Sequence, residues 1–155
     1  MKKIKHVVLL TIMLTVVVGF SSCKKEKGEK IPFTTIAKGE KAGIPEQSTI
    51  IHTQEEWKEL GIAMHSDFDE IEIDFETHKI IVVIDEVRPC VGFSITIVRV
   101  TEYLNKIVVS IDLTTPLGPC LSALTQPYHI VKIPKTIKKI QFQYHKKQLT
   151  KNETQ

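Results

Sequence analysis

Residues 79–85 have the sequence KIIVVID, in which five consecutive β-branched residues stand between two charged ones. Side chains that branch at Cβ pack well on a pleated sheet, and a short run that is apolar at every position is typical of a strand buried on both faces. We therefore predict that residues 79–85 form a central strand of the fold.

Further strands are predicted on both sides of this run. Residues 93–100 and 106–113 alternate apolar with mostly polar side chains, as half-buried strands do, and the short segment between them favours a hairpin. Shorter strand-like stretches occupy residues 31–37, 48–51, 129–133 and 140–144.

One amphipathic helix is predicted ahead of the central strand, over residues 54–64. Thr53 and Glu56 have the spacing of a capping box, in which the two side chains satisfy backbone N–H groups at the start of a helix. The apolar residues of the segment are three and four positions apart and form one stripe: Trp57, Leu60 and Met64.

Together these elements indicate an α+β fold. We expect six or seven mostly antiparallel strands in a sandwich-like or curled sheet, with the helix near the start of a single domain over residues 31–145. The flanking segments are polar and lack apolar periodicity. We therefore expect residues 23–30 to be a tether and residues 146–155 to be a disordered basic tail.

The amino-terminal segment has the layout of an export signal. Residues 1–6 are basic, and residues 7–20 contain no charge but are fewer than the ~18 apolar residues that a spanning helix needs. Two serines then precede Cys23, which resembles a bacterial lipobox. We expect residues 1–22 to be a lipoprotein signal peptide. The alternative is a secreted protein cleaved at the same place, with Cys23 as an ordinary thiol.

Lipidation of Cys23 implies a location. Acyl chains such as palmitate on this residue would anchor the mature protein in the bacterial cell envelope, and we expect the outer membrane to be the site.

The apparent basic character of the chain belongs to the signal segment. The chain has 21 basic and 18 acidic side chains, and removal of Lys2, Lys3 and Lys5 leaves 18 of each. Nucleic-acid binding draws its affinity from a positively charged surface, so nucleic acid is not expected as a partner.

Two segments break the strand pattern, residues 85–93 and residues 115–129. Each contains proline and one cysteine, and loops on a rigid sheet are where function usually lies. If Cys23 carries lipid, Cys90 and Cys120 form an even pair in an oxidising compartment, and a disulfide would tie one loop to the other. The alternative is two buried thiols.

These loops contain the motifs RPCVGFSI (88–95) and ALTQPYHIVKIP (123–134). With the rest of residues 48–144, they resemble the C-terminal domain of PrcB-type lipoproteins. In the first loop the family typically has a Thr-Gly-Gly-Tyr-like turn, of which only Gly92 and the aromatic Phe93 are matched. The resemblance implies an accessory subunit that helps to assemble and stabilise a secreted serine protease complex.

Seven loop residues are candidates for binding another protein, because aromatic and backbone-exposing positions anchor interfaces. They are Arg88, Pro89, Gly92, Phe93, Gln126, Pro127 and Tyr128. The alternative is conformational: Gly92 and the turn at residues 126–128 would then fix the register of the neighbouring strands.

No catalytic motif is found, and neither an enzymatic activity nor a cofactor nor a metal is expected. The five histidines of the mature chain have no metal-site spacing and are expected at the surface or in loops: His52, His65, His78, His129 and His145. An acidic cluster lacks the ligand spacing of a calcium-binding EF-hand and is expected to be a solvated face: Asp67, Asp69, Glu70, Glu72 and Asp74.

The expected function is therefore that of a non-catalytic, envelope-anchored accessory module that binds an exported protein, with a protease as the leading candidate. Two alternatives remain open. One is a peptidase inhibitor that inserts its loops, as chagasin-like inhibitors do, and the other is a lipoprotein that binds a small ligand or a glycan.

Overall fold

A computed structural model describes residues 27–149, except for the side chain of Asp69. The expected signal peptide, Cys23, the first part of the tether and residues 150–155 lie outside the described residues. The described elements are β1 (Glu29–Ile31), β2 (Thr34–Gly39), β3 (Gln47–Ile51), α1 (Gln54–Met64), a 3₁₀ turn (Asp67–Glu70), β4 (His78–Ile84), β5 (Arg88–Cys90), β6 (Ser94–Glu102), β7 (Lys106–Thr115), β8 (Ser122–Thr125), β9 (Tyr128–Pro134) and β10 (Lys139–Gln148).

The strands form two four-stranded sheets and one small pair. Sheet I has the order β2-β9-β4-β3 and is antiparallel throughout, while sheet II has the order β1-β6-β7-β10 and contains one parallel pair, β7 with β10. Strands β5 and β8 pair separately. The predicted α+β class, with mostly antiparallel strands and one helix, is confirmed. The ten strands exceed the predicted number because β1, β5 and β8 have only three or four residues, too few to show a periodicity.

Strand β4 is buried on both faces, as its sequence predicts. Ile80, Val82 and Ile84 belong to the core cluster that includes helix α1, whereas Ile81 and Val83 belong to the cluster between the two sheets. All five side chains are at most 1% exposed. The protein therefore has three layers, with α1 on one side of sheet I and sheet II on the other.

Helix α1 has the predicted bounds and the predicted cap. The Thr53 hydroxyl accepts a hydrogen bond from the backbone N–H of Glu56 at 3.2 Å, and the Glu56 carboxylate accepts one from the N–H of His52 at 2.6 Å. Trp57 is completely buried and donates its indole N–H to the carbonyl of Ile71 at 3.1 Å. The indole is therefore a core anchor with a satisfied polar group.

No helix among residues 27–149 is long and apolar enough to cross a membrane.

Both chain ends of the domain extend further than predicted. Strand β1 begins at Glu29, inside the expected tether, and β10 continues through Lys146, Lys147 and Gln148, inside the expected disordered tail. These segments are strands because their backbones pair with β6 and β7, and Lys147 forms an ion pair of 2.5 Å with the buried Asp112. A polar edge strand has no apolar alternation from which it can be predicted.

The sequence predicted His129 at the surface or in a loop, and this prediction is wrong. The residue lies in strand β9 and is only 3% exposed. Its Nδ1 accepts a hydrogen bond from the backbone N–H of Ile97 at 2.9 Å, next to an irregularity in β6 between Ile97 and Arg99. Since Nδ1 is an acceptor, the proton is on Nε2, which donates to the Thr35 hydroxyl at 2.9 Å. The neutral ring thus connects β9 with both β6 and β2. Burial, together with the charge of Lys38, lowers the pKa of His129 to about 4.

This burial predicts a loss of stability in acid. The pKa of His129 lies below its ordinary value of about 6.5, so the unfolded chain binds more protons between these values. The contribution of His129 to the free energy of unfolding is complete above pH 6.5 and is lost as the pH falls towards 4. We expect this contribution to be about 2–3 kcal/mol smaller at pH 4.5 than at pH 7.5. Urea unfolding of the wild type and of His129→Gln, which keeps an acceptor and a donor but does not titrate, measures the difference. Equal pH dependence of the two proteins, or titration of His129 by NMR near pH 6.5, would contradict this expectation.

Candidate functional site

The two loops that break the strand pattern meet at one end of the molecule, which we call the tip (residues 86–93 and 115–125). Strand β5 pairs with β8, and the disulfide expected between Cys90 and Cys120 is present, with the Cα atoms 5.8 Å apart. Two further hydrogen bonds join the loops, from Val91 N–H to the Leu121 carbonyl and from the Thr125 hydroxyl to the Cys90 carbonyl, both at 3.1 Å. The tip is therefore held as one unit.

Arg88 fixes the first loop to the end of the central strand. Its Nε and Nη2 donate to the two carboxylate oxygens of the buried Asp85 at 2.8 Å, and its Nη1 contacts Glu86 at 2.6 Å. The hydrogen bond to Asp85 raises the pKa of the guanidinium, which also lies 5.0 Å from the centre of the Phe93 ring. All three guanidinium nitrogens contact carboxylates of the same chain, so the role of Arg88 is structural. It also packs against Phe93, which is half-buried.

Gln126 fixes the second loop in a similar way. Its side-chain oxygen accepts a hydrogen bond from Gly43 N–H at 2.9 Å, and its nitrogen donates to the carbonyls of Ile44 and Asp85 at 2.7 and 3.1 Å. Its backbone groups pair with residues 40–42. The residue is 7% exposed, so it supports the base of the tip and does not present its amide to solvent.

The residues that follow Gln126 are also engaged inside the protein. Pro127 is buried, and its carbonyl accepts a hydrogen bond from the Asp85 N–H at 2.9 Å. Tyr128 packs its ring over Gly39, where an added Cβ would lie 2.7 Å from a ring carbon. For residues 126–128 the conformational alternative therefore accounts for the observed contacts.

Gly92 and Pro89 are the candidate residues that the structure leaves exposed. Gly92 has a φ of 97°, a left-handed conformation that side chains disfavour, and an added Cβ would lie 3.1 Å from Pro116. Gly92 thus has a conformational reason to be glycine, while Pro89 and the backbone at Gly92 face solvent.

The most exposed apolar side chains of the tip are not among the binding residues predicted from the sequence. Leu121 and Leu124 are 78% and 74% exposed, and two further residues are more than half exposed: Val87 and Leu117. We call these four residues the tip patch. They make up four of the ten large exposed apolar side chains of the described chain. Loop residues have no periodicity, so the only signal for them in the sequence was the presence of leucines between the prolines of residues 116–127.

The acidic cluster is spread over two short turns: Asp67, Asp69 and Glu70 lie in the 3₁₀ turn, and Asp74 begins a turn over residues 74–77. Asp74 accepts hydrogen bonds from the Glu76 N–H at 2.9 Å and from the Thr77 hydroxyl at 2.7 Å, and these bonds lower its pKa. Within residues 27–149 no group of three or more histidine, cysteine or acidic side chains is arranged to hold a metal ion.

Comparison with known proteins identifies the segment that carries the tip. Residues 79–134 match the family model described as PrcB C-terminal. This match supports a PrcB-type C-terminal domain over these residues. The resemblance predicted from the two loop motifs is confirmed over these residues, which run from β4 to the end of β9 and include the whole tip. No curated protein and no solved structure matches the chain.

The disulfide of the PrcB-type segment is expected to stabilise it strongly. Cys90 and Cys120 are 30 residues apart, and on the chain-entropy model a bridge of this span contributes roughly 3–4 kcal/mol. We expect the free energy of unfolding of residues 24–155 to fall by this amount in the double variant Cys90→Ser/Cys120→Ser. Urea titration with and without reductant measures it. A reductant effect of the same size in the double variant would show that the loss has another origin.

The role assigned to Gln126 is tested by a change of one atom. In Gln126→Glu a carboxylate oxygen would replace the amide nitrogen and face two carbonyl oxygens, so we expect a loss of about 2–4 kcal/mol in the free energy of unfolding. The matched control is Gln143→Glu, the same change at an exposed position of β10. Equal stability of the two variants would contradict the role of Gln126 at the base of the tip.

Proposed function

We propose that the protein is a lipid-anchored accessory module of the bacterial cell envelope that binds an exported protease, or another exported protein, through its tip and has no catalytic role of its own. The PrcB-type C-terminal domain suggests an accessory role in a protease complex. The observation that carries the binding mode is the tip patch, a set of exposed apolar side chains on loops joined by a disulfide.

The rigidity of the tip supports this role. Ordering a flexible loop on binding costs conformational entropy, whereas the disulfide and the β5–β8 pairing have already ordered this one. Full burial of an exposed leucine against a partner contributes about 1.5–3 kcal/mol. Leu121 and Leu124 are therefore the residues of the tip patch that we expect to contribute most.

The position of the tip relative to the chain start also supports the proposal. Glu29 in β1 pairs with Glu102 at one end of β6, whereas the tip directly precedes Ser94 at the other end. Nine residues of extended strand separate these ends by about 30 Å. Cys23 is six residues before Glu29, a reach of about 20 Å at most. A lipid on Cys23 would hold the Glu29 end near the membrane and leave the tip directed outwards.

A loop-inserting inhibitor is the second candidate, and one observation favours it. Leu121 follows Cys120 on an exposed, disulfide-constrained loop, and inhibitory loops are constrained so that they can enter an active-site cleft without ordering cost. The two candidates differ in what the bound peptidase does, because an accessory subunit stabilises its partner and an inhibitor reduces its activity.

Crosslinking in intact cells tests the proposal. We expect the lipidated protein to capture an exported protease, and the double variant Leu121→Ser/Leu124→Ser to capture at least about tenfold less, because the contact residues are lost. The matched control is Ile62→Ser/Ile137→Ser, which changes two aliphatic residues outside the tip that are also more than 70% exposed. Circular dichroism verifies that both variants fold.

Equal capture by the tip variant and the wild type would contradict binding through the tip, and capture of no exported protein would contradict the accessory role itself. Addition of the mature domain to the captured protease then separates the two candidates. Protection from thermal inactivation without loss of activity supports an accessory subunit, whereas loss of activity supports an inhibitor.

A further inference from the structure

Strand β3 is the edge of sheet I. It pairs with β4 on one side, from Gln47 opposite Ile84 to Ile51 opposite Ile80, and no described strand pairs with its other side. The outer side of an edge strand presents backbone N–H and carbonyl groups, to which an extended peptide can add as a further strand.

An apolar groove runs beside this edge, between β3 and helix α1. It has a volume of about 460 Å³ and is lined by side chains that include Ile51, Leu60 and Ala63. Ile44 and Pro45 form one end of this groove and also line a second cleft of about 510 Å³, which reaches Val87 in the tip. The two clefts thus form one track that leads from α1 along the edge of the sheet to the tip.

The charged side chains along this track are all acidic. The groove beside β3 contains Glu56 and Glu59, the second cleft contains Glu46 and Glu86, and neither is lined by lysine or arginine. Glu56 caps helix α1 and Glu86 pairs with Arg88. Within the described chain, Glu46 and Glu59 take part in none of the ion pairs, and the carboxylate of Glu59 can pair with a basic ligand. The charge of Glu46 helps to raise the pKa of the Arg88 guanidinium, so a basic ligand at Glu46 would also meet the charge of Arg88.

We propose that this track binds an extended segment of a partner protein, added to β3 as a fifth strand of sheet I, in which the side chains that face α1 are apolar and basic in turn. Every second side chain of such a strand faces α1. Of these, the apolar ones would enter the groove and the basic ones would meet Glu59. A second copy of this chain fits less well, because β3–β3 pairing about a twofold axis would bring the same carboxylates together. The track shares Val87 with the tip patch, and the proposal does not depend on the role of that patch.

Binding of synthetic peptides to the folded protein tests this proposal. The probe is a fluorescent peptide of about eight residues in which every second residue is valine or lysine in turn, with threonine between them, and it is long enough to cover the five residues of β3. Its matched control has glutamate in place of each lysine. We expect the lysine peptide to bind at least about tenfold more tightly in a fluorescence polarisation assay at low salt, where exposed charges are least screened.

Two N-methylated versions of the lysine peptide test strand addition itself. Successive N–H groups of an extended strand point to opposite edges, so methylation of alternate residues blocks one edge and leaves the other free. We expect one version to lose binding and the other to keep it. Binding of both versions as strongly as the parent peptide would overturn strand addition, as would absence of binding by the parent.

Protein variants locate the site. Glu59→Lys replaces an attraction with a repulsion, and we expect it to weaken binding of the lysine peptide by about tenfold. The matched control is Glu72→Lys, the same change on an exposed residue away from the track. The tip variant Leu121→Ser/Leu124→Ser should bind the peptide with unchanged affinity, which keeps this result separate from the proposed function. Equal binding of the lysine peptide by Glu59→Lys and Glu72→Lys would overturn the proposal. It would also be overturned if the free protein were a dimer and Glu59→Lys made it monomeric, because the track would then bind a second copy of the chain.

Discussion

The two-sided burial of strand β4 is the constraint on which the rest of the structure depends. Three of its side chains face helix α1 and two face sheet II, and all five are removed from water. Burying each large aliphatic side chain contributes about 1.5–3 kcal/mol relative to leaving it exposed, so neither layer can leave sheet I without a large loss. This strand therefore requires both a helix layer and a second sheet.

The same strand positions the candidate site. Strand β4 ends at Ile84, and the next residue, Asp85, holds Arg88 through its carboxylate while its backbone groups bond to Pro127 and to the Gln126 side chain. Asp85 and Gln126 are buried, Arg88 is half-buried, and the polar groups of all three are hydrogen-bonded, which gives the loops a fixed base. The four residues of the tip patch lie further from this base, and each is more than half exposed within the described chain. The PrcB-type segment thus combines an internally satisfied base with an apolar, exposed end.

Two strands describe the surroundings of the tip: β6 separates it from β1, and β3 connects it with the apolar groove. Along β6 the tip and the first described strand lie at opposite ends, so a contact made by the tip is remote from β1. The track beside β3 reaches the tip at Val87. A partner that contacts the tip with its folded body and the track with an extended segment would meet one continuous surface.

The sequence by itself determined the central strand, helix α1 with its cap and the motifs that resemble the PrcB-type domain, because each depends on residues that are close in the chain or on a local pattern. It left the disulfide between Cys90 and Cys120 as one of two alternatives, because these residues are 30 positions apart. Only the tertiary structure decided that β10 runs parallel to β7, that His129 is buried between strands, and that Gln126 is internal while Leu121 and Leu124 are exposed. These features depend on partners that are far apart in the chain. His129 is 32 residues from Ile97 and 94 residues from Thr35, and Gln126 is 82 residues from Ile44. Periodicity reports which face of one element is apolar, but the burial of a loop residue is set by which distant segment packs against it.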